Sequence, residues 1–164
     1  MRRIVVVLFL TLIILLAACT SIDCPVQNKV YTNYNLYKSD GSVDTLTVDT
    51  LTIVTKVADG TLDTLLNQST GITYFELDIS HTQPEDEFYL FLNDTLGNAY
   101  KDTIRVRKED LPHFESVDCG MSYFHKLTSV SNTKYILDSV VISNPNVNYD
   151  TNIEHFRIYF KARY

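Results

Sequence analysis

The sequence predicts an all-β chain folded as a single antiparallel β-sandwich, and three observations lead there. Apolar and polar residues alternate with period 2 in several segments, turn clusters rich in Gly and Asp separate those segments, and no stretch carries a convincing helical period. Period 2 describes strands with one buried and one wet face. Strand after strand without intervening helices must bury its apolar faces sheet against sheet.

The strands follow in order. Segment 30–37 puts Tyr31 and Tyr37 on one face and Tyr34 on the other, a composition suited first to packing and second to recognising a partner or a glycan. Segment 43–56 follows the turn Ser39-Asp40-Gly41-Ser42 and is long enough for a hairpin or a bulged strand. Segment 62–66 follows Asp59-Gly60, a strong hairpin signal. In 72–79, Phe75, Leu77 and Ile79 oppose Tyr74, Glu76 and Asp78. Segment 87–92 leads to the Leu96-Gly97-Asn98 turn. Segment 99–107 then sets Tyr100, Asp102, Ile104 and Val106 against Lys101, Thr103, Arg105 and Arg107. Residues 108–116 read as a connection with room for one short turn. Segments 119–127 and 135–143 precede 154–162, where Phe156, Ile158 and Phe160 oppose His155, Arg157 and Tyr159. The chain has no Trp to serve as the buried immunoglobulin-type residue, so the pattern licenses "Ig-like or similar" and nothing narrower.

A length of 164 residues suits one domain, and 45% hydrophobic with 21% charged residues is a globular composition. The net charge of −6 argues against nucleic acid, which needs a basic footprint.

Much of the apolar content sits at the N-terminus. Arg2 and Arg3 precede a run from Ile4 to Leu16 that is apolar except for Thr11. The run is shorter than the roughly 20 residues of a spanning helix and suits the core of a signal peptide. Leu16-Ala17-Ala18-Cys19 resembles the bacterial lipoprotein signal, which implies cleavage before Cys19 and acylation of that residue. The expected division is a signal peptide over 1–18, a lipidated tether over 19–28 and a β-sandwich over 29–164. Several acyl chains hold firmly without a spanning segment. The mature part keeps twelve basic against twenty acidic residues, a charge of −8 that anionic lipid repels. Thr20 and Ser21, with no Asp next to the Cys and no run of acids, resemble sorting to the outer membrane, facing the periplasm.

With Cys19 acylated, Cys24 and Cys119 remain. An oxidising compartment permits a disulfide, which would close a loop worth about 4–5 kcal/mol in chain entropy. Two buried free thiols, or Cys24 in a flexible tether, are the alternatives on these residues alone. No C-x₂-C or H-x₃-H spacing points to a metal.

Asp-Thr-Leu occurs at 44–46, 49–51, 63–65 and 94–96, with Asp102-Thr103-Ile104 and Asp138-Ser139-Val140 as close variants. The motif resembles the O-glycosylation sequon of Bacteroidetes envelope proteins. The resemblance makes Thr45, Thr50, Thr64, Thr95, Thr103 and Ser139 the candidate hydroxyls. Thr95, in a loop-like stretch, is the most accessible. The competing reading is structural: Asp opens a turn, Thr favours a strand and Leu fills the core.

Catalytic signals are missing. No G-x-S-x-G, H-E-x-x-H, P-loop or dinucleotide-binding glycine pattern occurs. His81 and His113 read as solvated residues in polar connections, and His125 and His155 as strand-face residues. Glu85-Asp86-Glu87 and Glu109-Asp110 read as charged connections. Asn144, Asn146, Asn148, Asp150 and Asn152 alternate along one face, but a single charge is little for Ca²⁺ and a wet loop fits better. No catalytic residue, metal or cofactor is predicted.

The lipobox Cys, the second Cys, Asn93-Asp94-Thr95-Leu96, Asp102-Thr103-Ile104-Arg105-Val106, Phe114 with Asp118-Cys119-Gly120, and Phe156-Arg157-Ile158-Tyr159-Phe160 together resemble a domain-of-unknown-function family of small Bacteroidetes lipoproteins. The resemblance supports pairing Cys24 with Cys119 and carries no catalytic residue across. The expectation is a non-enzymatic envelope lipoprotein that is structural or binds another envelope protein. The alternative is a module that binds a glycan or small ligand.

Overall fold

The computed structural model describes residues 29–114, 116–117 and 119–162. Ten strands lie within them: β1 (Tyr31–Tyr37), β2 (Thr50–Lys56), β3 (Leu62–Ser69), β4 (Tyr74–Asp78), β5 (Glu85–Asn93), β6 (Ala99–His113), β7 (Ser122–Asn132), β8 (Leu137–Ile142), β9 (Asn146–Val147) and β10 (Phe156–Phe160). They form a four-stranded sheet in the order β4-β1-β10-β8 and a six-stranded sheet in the order β3-β2-β5-β6-β7-β9. The expected all-β sandwich is the fold. The signal peptide, the tether and Cys19 lie outside the described residues.

Alternation builds the core. Tyr34, Leu36, Phe75, Leu77, Phe156 and Ile158 turn inward from the smaller sheet to meet Leu51, Ile53, Phe88, Leu90, Ile104 and Val106 from the larger. Tyr34 is wholly buried between the rings of Phe75 and Phe156, at 5.0 and 4.6 Å, with Phe88 edge-on at 6.3 Å. Burial pushes its phenol well above the ordinary tyrosine range.

Four local expectations are corrected. Segment 43–56 is a strand only from Thr50; before that, Val43 and Leu46 make single bridges to Tyr37 and Ile72. Residues 108–113 are not a turn but a continuation of β6, paired with β7 from Leu127 to Ser122. The acids at 85–87 and 109–110 therefore lie in strands, not connections. Pro112 is tolerated there because β5 ends opposite Arg107, leaving that edge of β6 without a strand partner. A short β9 falls inside the Asn-rich run. The pairing is antiparallel except for β1 with β10, where the first and last strands run side by side in the same direction.

The sheets are joined by connections that buried polar groups pin. Between β7 and β8 the chain changes sheets, and Asp102, 1% exposed, receives that turn. Its carboxylate accepts hydrogen bonds from the Thr133 hydroxyl and from the backbone N–H groups of Tyr135, Ile136 and Leu137, the backbone bonds being 3.0, 2.7 and 2.8 Å. His155 ties the other side: its Nδ1 accepts from the Asn33 N–H at 3.1 Å and its Nε2 donates to the Asn146 carbonyl at 3.2 Å. Burial holds its pKa below the ordinary imidazole value.

Candidate functional site

Two surfaces carry organised chemistry. The first is the outer face of the four-stranded sheet. Alternation on β1 turns Thr32, Tyr34 and Leu36 inward and leaves Tyr31, Asn35 and Tyr37 outward. Register places Arg157 and Tyr74 beside Asn35, Tyr159 beside Tyr37, and Ser139 beside Tyr159. The rings of Tyr37 and Tyr159 are 5.7 Å apart, and the Arg157 guanidinium lies 5.4 Å over Tyr37. The Tyr37 hydroxyl donates to Glu154 at 2.6 Å, and Arg157 meets the same carboxylate at 2.6 Å. Burial lifts the Glu154 carboxyl, but the bonds from Tyr37, Arg157 and Ser143 outweigh it and hold the group below the usual glutamate value. Its hydrogen bond to Glu154 raises the Tyr37 phenol. The face thus offers rigid, amphipathic rings with a charged pair already in place, the composition that protein-binding surfaces favour.

The second surface is a cleft of about 470 Å³ at one end of the sandwich, lined by the residues just before β1, the end of β2 with the turn into β3, the β4–β5 loop and the face of β7 that carries Tyr123 and His125. Asp86 and His125 line it, and their charged partners lie behind them. Lys108 and Asp86, 0% and 5% exposed, bond at 2.7 Å, and Lys108 also donates to the Gln83 carbonyl at 2.7 Å. Burial raises the Asp86 carboxyl despite Lys108 beside it. This pair anchors the loop that crosses from one sheet to the other. Next to it, His125 sits opposite Asp110 in register, Nδ1 to carboxylate 2.6 Å. Burial lowers the His125 pKa, the Asp110 carboxylate opposing. Its Nε2 finds no hydrogen-bond partner among the described residues. An imidazole oriented by a carboxylate with its second nitrogen unused can bind a ligand proton or lone pair. His81 stacks flat on Tyr123 at 4.6 Å beside it. Neither pair matches a sequence motif. The signal was there: the inward face of β6 continues from Val106 through Lys108 and Asp110, charged residues where apolar ones should stand.

The residues singled out from sequence scatter. Cys119 is buried and its sulfur is not free, while its expected partner Cys24 lies outside the described residues. The six hydroxyls divide by context. Asp44, Asp49 and Asp102 are buried with Leu46, Leu51 and Ile104 on the same faces, which is the structural reading of the tripeptide. Thr103 between them is itself buried, unsuited to carry a glycan; Thr45, Thr50 and Ser139 are half-buried. Thr64 and Thr95 are exposed. Thr95 stands in a turn that Asp94 organises, its carboxylate accepting from the N–H groups of Leu96 and Asn98. Gly97, at φ +84°, supplies the left-handed residue this turn requires. His113 is half-buried and stacks on Phe124, so it is not a solvated loop residue. Asn144, Asn148 and Asp150 bond the backbone two residues on, so their oxygens close local turns.

No curated protein and no solved structure matches the chain. A family model described as a family of unknown function (DUF6452) matches residues 50–160. That span opens on the first residue of β2 and closes on the last of β10, taking in most of the cleft lining, the Asp102 turn and most of the chain. The chain belongs to this family of unknown function.

Proposed function

We propose that the chain is a non-enzymatic lipoprotein of the bacterial cell envelope, held at the outer membrane through acylated Cys19, whose four-stranded sheet binds another envelope protein. The observation that carries the binding role is the outward row of Tyr31, Tyr37, Tyr74 and Tyr159 with Arg157 fixed on Glu154. Tyrosine rings bring large contact area at small entropic cost, and here the charged pair is ordered before any partner arrives. The Leu16-Ala17-Ala18-Cys19 sequence supports the anchor, and the burial of Cys119 supports its pairing with Cys24. Exposed Thr95 is the preferred site of O-glycosylation among the six hydroxyls.

A photo-crosslinking residue at Tyr74 tests the binding face. It should capture one envelope protein reproducibly, and the same residue at Lys101 on the other sheet should not. Equal capture at both positions, or none at Tyr74, refutes the role. Cys19→Ser should release the protein from washed membranes. The native intact mass should exceed polypeptide plus lipid, and Thr95→Ala should remove a glycan's worth of that excess.

A second reading rests on the cleft. His125 Nε2, oriented by Asp110 and lining the cavity, suits a small polar ligand such as a sugar. Chemical shifts of His81 and His125 that stay unmoved by a panel of mono- and oligosaccharides would dispose of it.

A further inference from the structure

Large apolar side chains stand in solvent at one end of the molecule. Leu111, Phe114, Val117 and Met121 are 46%, 60%, 89% and 54% exposed, all where β6 gives way to β7. This is the tip of the longest strand pair. β5 stops opposite Arg107, so β6 from Lys108 onward projects past it, supported by β7 and the two residues of β9. Leu111 pairs with Phe124 on one face of this ribbon and Met121 lines the cleft beside Tyr123 on the other, so the tip offers apolar side chains to water on both sides, the kind of exposure that contact surfaces carry.

What meets the tip is decided by where the chain enters. Lys29, the first described residue, lines the same cleft as Met121 and Tyr123 at the base of the tip. The segment from Cys19 therefore joins the domain at this end, and its ten residues reach at most about 35 Å even when fully extended. The opposite end is far away. β6 runs unbroken over fifteen residues from the Asp94–Asn98 turn to the tip, about 45–50 Å at 3.3 Å per residue. An anchor on this tether turns the end that carries the apolar tip toward the bilayer and the Asp94–Asn98 end away from it. Electrostatics does not help it there, because an acidic domain is not drawn to anionic lipid.

We propose that the β6–β7 tip is a second membrane contact: Leu111, Phe114, Val117 and Met121 insert into the interfacial layer of the bilayer that holds the Cys19 anchor. The inference rests on the lipid-anchor reading. Apolar side chains at this depth replace water contact with acyl-chain contact, as on interfacial amphipathic elements. The sandwich then stands on end, with Thr95 at its distal tip and the tyrosine face turned sideways toward neighbours.

The chain has no Trp, so one introduced Trp reports its own environment alone. Val117→Trp and Leu96→Trp replace the two most exposed large apolar residues among the described residues, 89% and 85%, at the two ends. Each full-length protein, purified with its native lipid, is reconstituted into phosphatidylethanolamine–phosphatidylglycerol vesicles with and without brominated acyl chains. The expected result is blue-shifted, bromine-quenched emission from Val117→Trp and solvent-like, unquenched emission from Leu96→Trp. Solvent-like emission from Val117→Trp in protein that floats with the vesicles overturns the tip contact and leaves the anchor standing. Quenching of both means the domain lies flat, which also overturns it. Protein that fails to float overturns the anchor and the inference with it.

Discussion

Asp102 touches neither surface, yet replacing it should cost the fold as much stability as breaking the buried Lys108–Asp86 pair. Its carboxylate accepts four hydrogen bonds from the turn that carries the chain from β7 to β8. Asp102→Ala removes all four. Tyr135 is exposed, so water can replace the bond to its N–H. Ile136 and Leu137 are 7% and 0% exposed, so their N–H groups stay dry and unpaired. Two orphaned buried donors cost about 1–3 kcal/mol each, and the lost Thr133 bond adds about 1 kcal/mol. The sum is about 3–7 kcal/mol out of the roughly 5–15 kcal/mol typical of a domain. At this chain length that is a fall in Tm of about 10–20 °C, read by circular dichroism. Asp102→Asn should recover little, because its amide turns a donor toward two donors. Thr133→Ala should lose only about 1 kcal/mol. An Asp102→Ala protein within 1 kcal/mol of the parent, or an Asn variant equal to it, would refute the reasoning.

Lys108→Ala leaves Asp86 buried without its partner and should cost about 3–5 kcal/mol in urea unfolding, whereas Lys108→Met with Asp86→Leu should recover most of that loss. Tyr34→Phe should be nearly neutral, since its hydroxyl makes only a 3.4 Å contact with Thr32, while Tyr34→Ala should cost about 3–5 kcal/mol by emptying the centre of the core. His125 and His155 both titrate below the ordinary imidazole value when folded. The unfolded chain then binds more protons as pH falls, so stability is full above about pH 7 and declines as pH drops through about 6.5 and below. Urea midpoints that stay flat or rise between about pH 7.5 and 5.5 would contradict this sign. The raised Asp86 carboxyl acts oppositely, at lower pH, because there the folded state takes the proton more readily.

Particular residues show how far the sequence could be read. The alternation of Phe75, Leu77 and Ile79, or of Phe156, Ile158 and Phe160, depends on local geometry alone, and those residues are the core. Segment 108–113 resisted reading because Lys108 and Asp110 occupy inward positions that periodicity expects to be apolar. Their burial is tolerable only because Asp86 and His125, on neighbouring strands, reach them. The Asp-Thr-Leu repeat was visible as a pattern but ambiguous as a meaning. Asp102 and Asp94 open similar tripeptides, and one is a buried cap while the other shapes an exposed turn.

Strand periods, turn positions and acidic charge are legible in the chain alone, because each is a property of composition or of sequence neighbours. Which strands lie side by side, which charges pair beside the cleft, and the meeting of the domain's start with the apolar β6–β7 tip at one end come from the fold. Those are contacts between residues far apart in sequence, chosen by which packing buries the apolar faces while leaving every buried charge a partner, a condition that no local pattern encodes.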